Sequence, residues 1–373
     1  MQSSLSRLDQ FNYDSQTYNT VPLILNYTQP IRAYNALKWR KKTAPLQYEN
    51  AQRAYLETMQ DITINVTNLF FTVTFGAGKF TAKAWPDLRI RKHLFEIAKK
   101  RLDLGTTTKS EVLQMELSLL NAKMSVNSTG LTLRTQLFSL FSYLRIVDYE
   151  DVELLPPYYM PEIEMNAEQV LDKAWTGSSH SIEQQLNLLE SQRALAEAKA
   201  NRGLQVEFRG RIGLSQSANE LPAAYRRLKD YETVGLTMTI PIYDWGMGRG
   251  KVRMAKTDVE ITKTQIEQAN IEFAHDVRTK VLQFNNQAEQ CKTSLRAQDI
   301  AAERYDIMKK RFENGSVTVT ELNTAQEEFE SAQHQYISQL QQFWTDYYGI
   351  QKLTLYDFIR KENIGVNFND LVN

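Results

Sequence analysis

The stretch RFENGSVTVTEL, residues 311–322, interrupts an otherwise continuous helical pattern. It comes after a tract rich in Gln, Glu, Ala and Lys with no proline after Pro241, and a second such tract lies beyond it. Long runs of strong helix formers without proline predict long helices. The Gly-Ser-Val-Thr break therefore marks a turn between two of them. The same turn occurs earlier as RLDLGTTTKSEV, residues 101–112. Arg311, Gly315 and Glu321 repeat Arg101, Gly105 and Glu111 at a constant offset of 210 (311 − 101, 315 − 105, 321 − 111). Glycine at a helix end accepts the left-handed conformation, and Thr108 and Thr318 stand where each can cap the next helix. A helix–turn–helix hairpin accounts for all four residues.

Working outward, the repeat extends along the returning helices. Apolar residues fall at Val112, Met115, Leu119, Ala122, Val126, Leu133, Leu137, Leu140 and Leu144 in the first copy. In the second they fall at Leu322, Ala325, Phe329, Ala332, Tyr336, Leu340, Phe343, Tyr347 and Ile350. Steps of three and four trace one helical stripe near the coiled-coil period. The incoming helix of the second copy, Trp245–Glu313, has its own stripe through Val259, Ile266, Phe273, Val277, Val281, Phe284, Ala288 and Cys291. Such a helix would run roughly 100 Å, which predicts antiparallel coiled-coil hairpins and an elongated molecule. One segment resists this pattern: TVTFGAGKFTAKAWPDLRIRK, residues 72–92, has a β-type run, two glycines and a proline where its counterpart at 282–302 reads as helix. The sequence predicts a break there, either a local variation or the trace of compensating frameshifts.

Strands are predicted at the other ends of the helices. VEFRGRIGL (206–214) and VGLTMTIPI (234–242) alternate apolar and polar or small residues, as do VPLILNYTQP (21–30) and the shorter SSLSRL (3–8). Polar loops, 9–19 and 215–230, join them in pairs, and Tyr27, Tyr231, Tyr243 and Trp245 cluster near the strand ends. Alternating strands of this length with aromatic rims suit a membrane barrel, although a half-buried soluble sheet has the same period. Four strands cannot close a barrel, and open edges are not tolerated in lipid. Closure requires other copies of the chain, and three copies supply twelve strands.

The remaining features exclude more than they assign. Lys plus Arg and Asp plus Glu both total 44, so no global charge draws the chain to nucleic acid. The single cysteine, Cys291, sits in the helical stripe and reads as a small core residue. None of His93, His180, His275 and His334 lies in a metal-ligand spacing. GAGKF (76–80) lacks phosphate-loop spacing, and GMGRG (246–250) lacks a dinucleotide context. No cofactor and no enzymatic activity are expected. Residues 1–20 hold no apolar signal-peptide core. Between the copies, 147–180 is acidic, holds three prolines and mixes extended with helical pieces; Ser181 with Gln184 reads as a capping box opening a helix over 182–203.

The chain resembles the TolC-type outer-membrane efflux proteins. The residues that carry the resemblance are the twofold repeat, the junctions TQPI (28–31) and TIPI (239–242), and the two helix–tip–helix segments RLDLGTTTKSEVLQMELSLLNAK and RFENGSVTVTELNTAQEEFESAQHQY. LLESQRALAEAKANRGLQVEFRGRIGLS, leading from helix into strand, adds to them. The resemblance covers nearly the whole chain. It implies a mainly α fold and a homotrimer with a twelve-stranded outer-membrane barrel built from 1–31 and 205–243. A periplasmic helical tunnel would be built from 32–146, 181–204 and 244–350, with a belt from 147–180 and 351–373.

The resemblance further implies an exit duct for drugs, small molecules or proteins in a tripartite efflux or type I secretion system. The partners would be a periplasmic adaptor and an inner-membrane pump of RND, ABC or MFS type. Gly105, Thr106, Thr107, Gly315, Ser316 and Val317 would form the adaptor-docking tips. Glu321, with Glu111 at its repeat position, would line the gate, while Thr324 and Val317 stand where the family has an acidic and a basic gate residue. Pro30, Pro241 and Gly246 would mark the barrel-to-tunnel junctions. The family usually begins with a signal peptide and a helix before the first strand, whereas Met1 here falls near that strand, so the chain looks truncated. A soluble coiled-coil scaffold and a non-functional truncated homologue are the alternatives.

Overall fold

The computed structural model describes residues 2–10, 15–79, 85–147, 154 and 160–368. Two compact units divide the chain. The first comprises Met1–Asn50 with Ile182–Asn270, and the second Ala51–Ser181 with Ile271–Asn373.

The first unit is built on one antiparallel sheet in the order β1 (Gln2–Gln10), β2 (Ser15–Arg32), β3 (Gln205–Ala218) and β4 (Lys229–Thr239). All four alternating segments are strands. The register places Leu25 opposite Ile212, Tyr27 opposite Gly210 and Gly210 opposite Val234. Register slips between Thr20 and Leu23 and between Pro30 and Arg32. Pro30 lacks an N–H for the ladder, which accounts for the second slip. β4 ends at Thr239, so Ile240, Pro241 and Ile242 lie past the strand that was expected to include them.

Helices α1 (Ala36–Lys79), α5 (His180–Arg202) and α6 (Met247–Glu313) belong in part to each unit. The second unit adds α2 (Trp85–Asp103), α3 (Lys109–Tyr143), α4 (Ala167–Gly177) and α7 (Val319–Thr354), followed by a short hairpin, β5 (Tyr356–Asp357) and β6 (Glu362–Asn363). The repeat stripes are its core. Val277, Val281, Phe284 and Ala288 of α6 pack with Phe343, Tyr347 and Ile350 of α7, and α4 adds Val170, Leu171 and Ala174. At the tips, Leu94, Phe95 and Ala98 of α2 meet Val112, Met115 and Leu119 of α3, with Phe312 and Leu322 from the second hairpin. Cys291 is buried with Phe71, Tyr336 and Leu340, and burial pushes its thiol up to about 11.

Two expectations are corrected. Residues 72–79 are helical: α1 continues through Lys79 and α2 starts at Trp85, with 80–84 outside the described residues. Burial of Phe71 and Val73 carries the helix through a β-type run, since packing overrides local propensity. The threonines of this helix are satisfied internally. Thr63, Thr67 and Thr72 each donate Oγ1–H to the carbonyl four residues back, at 3.0, 2.8 and 2.8 Å.

Second, Ser181 does not cap a helix, because α5 begins one residue earlier at His180. The carboxylate of Glu57 on α1 accepts from Ser179 N at 2.8 Å and Ser179 Oγ at 3.0 Å just before that start. The cap comes from a distant helix, which no local pattern discloses. The last long helix, α7, runs to Thr354 and stops at Leu355 in the left-handed region. In the 147–180 segment, Asn166 caps α4 through Glu168 N and Gln169 N, and Asn285 of α6 pairs both ways with the backbone of Met165. Residues 148–153 and 155–159 of that segment lie outside the described residues.

Candidate functional site

The sheet has two unlike faces. Leu25, Tyr27, Ile212, Val234, Leu236 and Met238 lie on one face by register, and all are exposed in the single chain, Val234 to 75% and Ile212 to 62%. Ile24, Asn26, Thr28, Glu207, Arg209, Arg211, Tyr231, Thr233 and Thr237 occupy the other. A strand set that is apolar outward and polar inward, at this length, is the pattern of a membrane barrel. β1 and β4 are the edges of the sheet, and open edges in lipid leave backbone groups unsatisfied. Among the described residues no helix is long and apolar enough to cross a membrane.

At the strand–helix junction Asp244 folds back as a cap. Its Oδ1 accepts from Gly246 N at 3.0 Å and its Oδ2 from Gly248 N at 2.7 Å. Trp245 and Gly246 take φ of +50° and +81°, conformations in which Gly246 is unstrained. Trp245 is 84% exposed and meets Tyr243 edge-on at 4.5 Å. Asp244 is a structural cap, and Asp two residues before a glycine at a helix start is a legible capping signal.

The two tips are copies of one device. At the first, Thr106 N donates to Arg101 O at 2.9 Å and Gly105 N to Leu102 O at 2.9 Å; at the second, Ser316 N donates to Arg311 O at 2.8 Å and Gly315 N to Phe312 O at 3.0 Å. This is the double bond pattern of a Schellman motif, with φ of +72° at Gly105 and +79° at Gly315. The helix after each tip opens on a complete capping box, Thr108 with Glu111 and Thr318 with Glu321. Gly105, Thr106, Gly315 and Ser316 are exposed and Thr107 half-buried. Val317 is the exception among the expected docking residues, since its side chain is buried in the tip core.

The tips differ in one respect. Arg101 lies over the Phe312 ring at 5.1 Å, and a Cβ on Gly315 would strike its guanidinium, while nothing approaches Gly105. Gly315→Ala and Gly105→Ala should nevertheless cost nearly the same. Both carry the left-handed strain of about 1 kcal/mol, and the Arg101 guanidinium, the far end of a flexible side chain, swings clear of the added Cβ at little further cost. A loss of thermal stability several-fold larger for Gly315→Ala than for Gly105→Ala would contradict this.

The tip carboxylates are held below the usual range. Glu111 is lowered by the Thr107 hydroxyl and the Thr108 amide, with Arg101 assisting; Glu321 by the Thr318 amide and hydroxyl, with Arg311 assisting. A lowered carboxylate stabilises the fold above its ordinary pKa, about 4.3, and that contribution is lost as pH falls through the lowered value. Hydrogen-exchange protection of the Thr108 and Thr318 amides, which donate to these carboxylates, should hold from pH 7 to 5 and fall in more acid solution. Undiminished protection at pH 2 would contradict the assignment.

Fold and site together define a chain that offers four barrel strands and two long helical hairpins. The family model for outer membrane efflux proteins matches residues 1–144 and 178–354, and the chain belongs to that family. No curated sequence matches it. Among solved structures it is similar to CusC, studied for folding and transmembrane channel formation, at 13% identity and TM-score 0.72, over 95% of this chain and 82% of that one. The outer membrane channel CmeC of Campylobacter jejuni is similar at 12% identity and TM-score 0.73, over 100% and 79%. The MtrE outer membrane channel of Neisseria gonorrhoeae, in its open state, is similar at 13% identity and TM-score 0.68, over 95% and 79%. The protein is an outer-membrane efflux channel protein of mainly α fold, and it is not an enzyme.

Proposed function

We propose that three copies of the chain close a twelve-stranded barrel in the outer membrane and a helical tunnel reaching into the periplasm, and that this duct is the exit of a tripartite efflux or type I secretion system. The observation that carries the reading is the sheet with one exposed apolar face, one polar face and two edges. Such a sheet is satisfied in lipid only when other copies pair with its edges. A periplasmic adaptor docks on Gly105, Thr106, Thr107, Gly315 and Ser316, and an inner-membrane pump of RND, ABC or MFS type supplies drugs, small molecules or proteins. Glu111 and Glu321, one turn beyond the tips, line the mouth and favour cations there.

The test is export. In a Gram-negative host deleted for its own channel and supplied with a cognate adaptor and pump, the chain should reduce accumulation of a fluorescent efflux dye. Thr106→Trp with Ser316→Trp should abolish that reduction while leaving the amount of outer-membrane trimer unchanged. A tip variant that assembles and exports as well as the wild type would overturn the docking assignment. A wild-type trimer that never lowers dye accumulation would overturn the efflux role.

A further inference from the structure

The polar face of the sheet carries a basic feature that the gate and the tips do not use. Arg209 and Arg211 sit two residues apart on β3 and project from the same face, about 7 Å apart along the strand. In register beside them on β2 stand Thr28, opposite Arg209, and Asn26, opposite Arg211. Glu207, on the same face, binds Arg209 at 3.0 Å. Arg211 meets the Tyr231 side chain, and among the described residues no carboxylate pairs with it. Arg209, Arg211, Asn26, Thr28 and Tyr231, with Ile24, line a concavity of about 490 Å³. At this level of the face each chain thus brings two cations, Arg209 and Arg211, and one anion, Glu207, and Lys229, opposite Ser215, adds a third cation farther along the same face.

We infer that this face is an anion-binding belt inside the barrel, and that its ligands are small solutes bearing phosphate or carboxylate groups in transit to the exterior. The inference rests on the trimeric barrel proposed above. There, three copies set six arginines (2 × 3) against three Glu207 carboxylates (1 × 3) around one lumen. Guanidinium groups bind phosphate and carboxylate through paired N–H donors. Rings of arginine in a pore select for anions. Arg211, beside Tyr231, has no carboxylate partner among the described residues and Arg209 is partly neutralised by Glu207, while Asn26 and Thr28 supply neutral hydrogen bonds. The apolar face points the other way, which places the belt toward the lumen and away from lipid headgroups.

The test uses the full chain in planar lipid bilayers at about 0.1 M KCl, where screening beyond about 10 Å leaves a local charge effective. Sodium tripolyphosphate is added to the barrel side, opposite the tip mouth, and the apparent Kd of current block is read. Arg209→Gln with Arg211→Gln should weaken block roughly tenfold. Glu207→Gln, which frees Arg209, should tighten it about threefold. Open pores whose block is the same in wild type and in both variants would overturn the belt. If the arginine variant forms no pore, the Glu207→Gln arm decides alone: unchanged block overturns the inference, and tighter block supports it. A wild-type chain that inserts and never conducts would overturn the duct reading and the belt together, an outcome distinct from conducting pores with unchanged block.

Discussion

Val234→Arg should abolish stable assembly in the outer membrane. Val234 lies opposite Gly210, in the middle of the apolar face, and is 75% exposed in the single chain. An arginine facing lipid near the bilayer midplane costs about 2–4 kcal/mol, and a trimer would bear that cost in every copy. The control is Thr237→Arg, three residues along the same strand on the polar face and opposite Glu207. It adds the same charge where water and a carboxylate receive it, and should leave assembly intact. Heat-modifiable trimer in outer-membrane fractions provides the measurement. Loss of trimer in both variants, or in neither, would contradict the assignment of faces.

Phe284→Ala should be the most damaging change in the helices. Phe284 is fully buried, with ring contacts to Phe343 at 5.0 Å and Tyr347 at 6.2 Å, in the cluster that joins α4, α6 and α7. Truncating a buried phenylalanine removes transfer energy and leaves a cavity, together about 3–5 kcal/mol. For a chain of this size that lowers Tm on the order of 10 °C. Its neighbour Gln283 is exposed, and Gln283→Ala should change stability by no more than about 0.5 kcal/mol. Thermal melting of the detergent-solubilised protein distinguishes them. A drop of only a degree or two for Phe284→Ala would mean that this cluster does not hold the unit together.

Features that a local period or a local hydrogen bond dictates are legible in the sequence. The stripes through Val112–Val126 and Leu322–Ile350 are legible because steps of three and four are what one buried face of a helix requires. The tips are legible because Gly105 and Gly315 must accept a positive φ and Thr108 and Thr318 must cap the helices they open. The four strands are legible from alternation, although their register is not. Only the register sets Leu25, Ile212 and Val234 on one face and gathers Asn26, Thr28, Arg209 and Arg211 on the other.

The features that escape depend on partners distant in sequence. Glu57 meets the backbone before α5 from across 122 positions, so Ser181 suggests a cap that it does not form. The TVTF run after Phe71 looks β-like in isolation, yet Phe71 is held in a helix by contact with Cys291, Tyr336 and Leu340. Val317 lies just past a turn glycine and so reads as an exposed tip residue. Its burial beside Leu322 and Phe312 is decided by the neighbouring hairpin. Gly177 is a further case: a Cβ there would strike the carbonyl of Thr354, at the end of α7.

In the trimeric barrel, β1 of one copy pairs with β4 of the next to close the sheet. Within one chain these strands are separated by two others, three interstrand spacings or about 14 Å. That is beyond the reach of a disulfide. With Cys291 replaced by Ala, Ser6→Cys on β1 is combined in turn with cysteine at positions 231, 233, 235 and 237 of β4, and outer-membrane fractions are oxidised. The predicted result is cross-linked dimer and trimer that peaks at one or two adjacent β4 positions. Protein that remains monomeric at every position, although present in the outer membrane and fully oxidised, would contradict the closed trimeric barrel.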